Sequence, residues 1–325
     1  MSRGSHCLLL LAALALAATG ALAADPVRLV FVGDIMLDDG PGRLVSRAGD
    51  PLAPFAALLA DADYRIGNLE CPIATVGEPR ENKIATFRAH PRVLPILAER
   101  FDALGVANNH SGDYGHAAFL ETLALLAGQG IATFGGGHHL EQAHRPLWIE
   151  RRGLRIAVLA YNEFKPRSFE AGAEWPGIAW SEDTQVVADM RAARAAGADL
   201  VIPFMHWGWE REAQPSERQR QLARLMIDAG ADVVVGGHPH VVQNAELYRG
   251  RLIVYSLGNF VFDGFDAPEA RQGWLLRLDL DKRGLAAWDT RLAQLDEGGT
   301  PSPVPGALTP CGKRAQRKIG ECRNP

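Results

Sequence analysis

Residues 233–243 read VVVGGHPHVVQ. The three valines form a short β-branched run of the kind that makes a buried strand. Gly236 and Gly237 end the run, and His238 and His240 follow with Pro239 between them. Glycine permits close backbone approach and proline narrows the turn, so two imidazoles are held just past a strand end. The same layout recurs upstream. LVIPFMHWGWE, residues 200–210, is an apolar strand ending at His206. Val27 to Val32 is a β-rich run ending in Gly33-Asp34, and Tyr64 to Ile66 leads into GNLE with Asn68 and Glu70. Ala103 to Ala107 leads into Asn109-His110.

Between these runs lie helical patterns at Pro54 to Ala60, Val93 to Arg100, Phe119 to Ala127, Asp183 to Ala196 and Ser216 to Ala229. The last carries an apolar stripe of Leu222, Leu225, Met226 and Ala229. Further strands are expected at Leu154 to Ala160 and Leu252 to Tyr255. Trp274 to Leu280 and Leu285 to Leu292 alternate and read as antiparallel strands. Alternating strands and helices indicate an α/β domain. Polar clusters at strand C-termini mark where open α/β sheets bind ligands. Periodicity does not separate one open sheet from two packed ones.

The N-terminus reads as a secretory signal over residues 1–23. Arg3 lies in the n-region, Leu8 to Ala18 is the apolar h-region, and Ala21-Leu22-Ala23 is a small-residue cleavage site before Ala24. A membrane anchor is the alternative, but the run is short for a span. A periplasmic or secreted destination follows as an expectation. About 300 of the 325 residues then remain, enough for one large α/β domain. We place that domain at residues 24–295 and read residues 296–325 as a loop-like or disordered tail. In an oxidising compartment Cys311 and Cys322 can close a small loop there, two free thiols being the alternative. Cys71, next to Glu70, reads as a buried thiol. The net charge of −4 argues against a general nucleic-acid binder.

Imidazole, carboxylate and amide groups are ligands for Zn, Mn or Fe. Asp34, Asn68, Glu70, Asn109, His206, His238 and His240 are therefore the candidate ligands, for one or two divalent ions. Any one of them alone is explained as a cap or a satisfied side chain. Their recurrence after successive strands indicates a shared site. Trp207 and Trp209 are expected to pack or wall the site, and Glu210 to hold His206.

The motifs FVGDIML, GNLE, ANNHSGDYG, HWGWE, GGHPHVVQ and SLGNFVFD occur in this order between residues 27 and 263. This chain thereby resembles the CapA-type bacterial poly-γ-glutamate capsule-synthesis proteins. That family is similar in turn to the calcineurin-like metallophosphoesterases. The resemblance implies two packed mixed β-sheets flanked by helices. It also implies a metal-dependent hydrolase acting on a phosphoester or amide bond. Asp34, Asn109, His206, His238 and His240 match metallophosphoesterase ligands, and His110 matches the residue that assists the leaving group, with Asp113 to orient it. Two positions depart from the pattern. Met36 stands where an imidazole is expected, and Asn68 where a metal-bridging carboxylate is expected. A single ion, or a spread-out pair using Glu70, fits these departures. The implied partners are an anionic cell-envelope polymer or its precursor and a membrane polymer synthase. A non-catalytic accessory that binds polymer or synthase is the competing reading. A general secreted phosphatase or nuclease is weaker, because the ligand set is incomplete.

Overall fold

The structure is a computed structural model and describes residues 25–165 and 167–325. The signal-like segment lies outside the described residues.

Two mixed sheets pack face to face. The first runs in the order Gly320–Arg323, Leu308–Lys313, Gly284–Leu295, Gln272–Asp281, Val27–Ile35, Tyr64–Leu69, Ala103–Gly105, Ala132–Phe134. The second runs Val242–Tyr248, Arg251–Leu257, Val233–Gly237, Leu200–His206, Leu154–Asn162, Leu147–Arg151. The inner strands of the second sheet pair in parallel, and its two edge strands are antiparallel. In the first, Val27–Ile35 is parallel to Tyr64–Leu69 and antiparallel to Gln272–Asp281. The expected architecture of two packed mixed sheets with flanking helices is the one observed.

Strand alternation explains the layering. Leu29 and Phe31 point inward to meet Ile202, Phe204, Val233 and Val235 of the opposite sheet, in one buried cluster. The Phe31 and Phe204 rings meet edge-on across the gap, 5.6 Å between centroids. Val30 and Val32 point the other way, into a layer with Phe55, Val93 and Leu97. On the far side, Val201 and Met205 lie under Val186 and Met190 of the Asp183–Ala195 helix and under Leu222 and Met226 of the Glu217–Ala229 helix. The second helix starts on a capping box: Ser216 accepts from the Gln219 amide and the Gln219 side chain reaches back to Ser216.

One expectation is corrected. Residues 296–325 are no loose tail: Pro301–Pro303 and Leu308–Lys313 pair with Gly284–Leu295, and Gly320–Arg323 continues the sheet. The Gly284–Leu295 strand offers a free edge, and edge pairing needs backbone groups rather than apolar side chains. The expected Cys311–Cys322 disulfide is present and ties the last two strands together.

Candidate metal centre

The centre is built where both sheets bring strand C-termini to one end. Asp34 sits at an irregularity in the register of the first strand. The chain is tight here: a Cβ on Gly33 would fall 1.9 Å from the Gly258 carbonyl oxygen. Asp34, Asn68, Glu70 and Asn109 come from the first sheet and the loops after it. His206, His238 and His240 come from the second. His238 and His240 both take left-handed backbone, with φ of +95° and +57°. Such conformations are uncommon outside glycine and persist where packing over-determines them. Gly237 allows the approach, since a Cβ there would lie 2.8 Å from Asp34 Oδ1.

The predicted ligands converge. His206 Nε2 lies 3.1 Å from His238 Nδ1 and 2.7 Å from Asn109 Oδ1. Glu70 Oε1 lies 3.4 Å from His206 Nε2 and 3.7 Å from His240 Nε2. Asp34 Oδ2 lies 3.6 Å from His240 Nδ1 and accepts the His238 backbone N–H at 3.1 Å. Asn68 is also at the centre, but its amide is engaged: it donates to Asp34 Oδ1 at 2.8 Å and accepts from Asn108 at 3.0 Å. Met36 is buried in the apolar layer behind the strand end, its sulfur meeting the Asp38 amide at 3.2 Å.

Electrostatics follow from burial. Glu70 is held well above the usual carboxylate range by burial, reinforced by the Asp34 charge. Burial also raises Asp34, against the pull of His240. His206 and His238 are pushed well below the usual imidazole range, first by burial and then by neighbouring histidines. Both Glu70 oxygens and His238 Nε2 are buried without a hydrogen-bond partner among the described residues. Such a carboxylate is costly unless a cation or a proton compensates it. Two overlapping groups, Glu70 with His238 and His240, and Asp34 with Glu70 and His206, each place their ligand atoms within 4.8 Å of one another. Three imidazoles, two carboxylates and an amide oxygen are compatible with a divalent ion.

His110 stands beside this cluster and lines a cleft of about 550 Å³. Its Nδ1 is 2.7 Å from Asp113 Oδ2. An ionised carboxylate only accepts, so Nδ1 carries the proton and Nε2 is left bare. Asp113 also accepts from the Phe87 amide at 2.8 Å and from Lys83. Burial lowers His110 below its ordinary value, against the opposing pull of Asp113. The cleft wall carries Arg80, Lys165 and Arg167 alongside Phe164 and Glu210. Glu210 is exposed there, and Asn68 rather than Glu210 meets His206 Nδ1, at 3.3 Å. Trp207 is fully buried and donates to the Tyr255 carbonyl, whereas Trp209 stays 63% exposed. Cys71 is buried as expected, its thiol pushed up to about 12 by burial.

Sequence reading missed three contributors. Lys83 Nζ donates to the Asn109 carbonyl at 2.7 Å as well as to Asp113. Asn108 braces Asn68 and the Leu69 carbonyl. Asn259 Oδ1 meets His240 Nδ1 at 2.8 Å and so presents its Nε2 to Glu70. Asn259 lies within the SLGNFVFD motif and was findable there. Lys83 sits in a polar loop with no local signal.

Residues 28–264 match the family model described as bacterial capsule synthesis protein PGA_cap. The chain belongs to this capsule synthesis family. It is 33% identical over 292 residues to the PGA biosynthesis protein CapA of Bacillus subtilis, covering 86% of this chain and 74% of that protein. The capsule biosynthesis protein CapA of Bacillus anthracis is 31% identical over 307 residues, covering 87% of this chain and 71% of the other. The crystal structure of a 5′-nucleotidase precursor from Thermus thermophilus shares the fold, with a TM-score of 0.54 at 15% identity over 85% of this chain and 56% of that one. The capsule synthesis chain thus has a calcineurin-like metallophosphoesterase fold.

Proposed function

We propose that this capsule synthesis family member is an extracytoplasmic, metal-dependent hydrolase of exopolymer biosynthesis, of the poly-γ-glutamate type. Its target would be a phosphoester or amide bond in an anionic envelope polymer or its precursor. The observation that carries the reading is the buried Glu70, unpartnered, among Asp34, His206, His238 and His240 at the end of the sandwich. A divalent ion held there, Zn, Mn or Fe, would make water acidic enough to attack near neutral pH and polarise the oxygen under attack. Asp34, Glu70, Asn109, His206, His238 and His240 would hold it. Asp113 fixes the His110 tautomer, so that Nε2 is the atom to exchange a proton with the leaving group. Arg80 and Lys165 on the cleft wall suit an anionic substrate. The signal-like residues 1–23 and the Cys311–Cys322 disulfide support placement outside the cytoplasm.

A second reading is favoured by the engaged Asn68 and the core-facing Met36, which shorten the ligand set. It makes the protein a non-catalytic accessory to a membrane polymer synthase. Complementation of a deletion strain separates the two. The hydrolase reading predicts that folded, metal-free His240→Ala fails to restore polymer. Full rescue would end it. A substrate screen with and without chelator supplies the direct assay.

A further inference from the structure

We infer that the disulfide-closed C-terminal lobe carries a second binding site, a basic cavity that takes carboxylate groups of an anionic polymer at the far end of the sandwich from the metal centre. Only the identity of the polymer rests on the proposed function. Residues 311–323 hold five basic side chains, Lys313, Arg314, Arg317, Lys318 and Arg323, against one acidic, Glu321. The whole chain has a net charge of −4, so this segment runs against its own background. The Cys311–Cys322 bridge folds it back into two paired strands. Pairing of Lys313 with Ala287 and of Gly312 with Trp288 then lays it beside the turn at 281–284, where Arg314 donates to the Gly284 carbonyl at 3.0 Å.

A cavity of about 170 Å³ opens there, and Arg251, Arg283, Lys313, Arg314 and Lys318 all reach its wall. The carboxylates nearby are already compensated. Asp232, also in the wall, is paired by Arg194 and Arg251 and accepts the Val201 amide at 2.9 Å. Asp281 is taken by Arg314. Arg283 only grazes it, at 3.4 Å, and stays exposed. Lys313 and Lys318 are exposed and make no ion pair among the described residues. A surplus of positive charge therefore surrounds a hollow, the arrangement that attracts an anionic group. Gly312 leaves the wall open: a Cβ there would fall 2.5 Å from Trp288 Nε1, so no side chain covers the indole N–H edge.

Concavity and composition favour a polymer over a membrane surface. A membrane-binding face sets several apolar side chains beside its basic ones. Of the exposed large apolar side chains among the described residues, only Leu308 lies in this lobe. The cavity is also well separated from the metal centre. Asp232 precedes the Val233–Gly237 strand and His238 follows it, which places them roughly 20 Å apart along an extended chain. The lobe can thus hold polymer without occupying the centre.

Binding of fluorescently labelled poly-γ-glutamate to the disulfide-bonded protein, followed by anisotropy at rising salt, tests this. The wild type should bind, and should weaken steeply as salt screens the charges. Lys313→Glu combined with Lys318→Glu should cost roughly tenfold in affinity. Lys313→Arg combined with Lys318→Arg should keep it. His240→Ala should bind as the wild type does, because the metal centre is no part of this site. Equal affinity in the charge-reversed and wild-type proteins overturns the inference, as does capture of phosphatidylglycerol vesicles with no binding of polymer. Polymer held through the two lysines with no hydrolysis in the substrate screen would leave this inference standing and end the hydrolase reading. Hydrolysis with an affinity indifferent to both lysines would do the reverse.

Discussion

His238 and His240 reach the centre from one short turn, each in left-handed backbone and each buried. His110 stands apart, its Nδ1 tied to Asp113 rather than to Asp34 or Glu70. The two kinds of histidine should respond differently to truncation. His238→Ala or His240→Ala is predicted to remove bound metal and activity together, because each takes a nitrogen from the ligand set. His110→Ala is predicted to keep most of the metal and lose turnover by ~10²–10⁴, the usual worth of general acid–base assistance. Metal analysis beside kcat checks both. Loss of metal in His110→Ala would instead make it a ligand.

Among the elements, the C-terminal strands are held by the Cys311–Cys322 disulfide and by a clasp on the preceding hairpin. Arg314 donates to both oxygens of Asp281, at 2.9 and 2.5 Å. Those bonds hold Asp281 below the ordinary carboxylate range, against a smaller cost of burial. A carboxyl depressed in the folded state stabilises it above the unfolded pKa of about 3.9. That contribution is lost as pH falls through the lower folded value. Asp281→Asn is therefore predicted to lower stability near neutral pH by about 1 kcal/mol or less, the usual range for a partly exposed pair. The deficit should shrink toward zero below about pH 4. Urea melts of both proteins from pH 3 to 7 measure it, and a pH-independent difference would refute the account.

At the scale of the whole molecule, the centre is divided between the sheets. Asp34, Glu70 and Asn109 follow strands of the first, and His206, His238 and His240 follow strands of the second. Metal affinity should therefore depend on the packing of the sandwich some way from the ligands. Phe31, fully buried against Phe204 between the sheets, is the place to test this. Phe31→Ala is predicted to cost about 3–5 kcal/mol of stability, the range for a buried phenylalanine. It should also weaken metal binding, although no ligand changes. Denaturant melts and metal titration check the two effects. Unchanged affinity in a destabilised variant would show that the centre holds itself together locally.

Apolar runs such as Leu29–Val32 and Leu200–Phe204 are legible as strands because both faces are buried and no polar residue interrupts them. The candidate ligands are legible for the same reason: each polar cluster begins where such a run stops. Ser216 with Gln219 marks a helix start by local chemistry alone. Other features depend on partners far away in the chain. The strands after residue 300 exist because Gly284–Leu295 exposes backbone groups to pair with, and LTPCGK carries no strand pattern of its own. Lys83 becomes part of the site because its loop folds onto Asp113, 30 residues on. Asn68 accepts from Asn108 because the pairing of the second and third strands brings the two side by side. The sequence by itself determined which side chains stand at strand ends, since periodicity and breaker residues act locally. The tertiary structure alone decided which of them meet, because that depends on two sheets closing over one core.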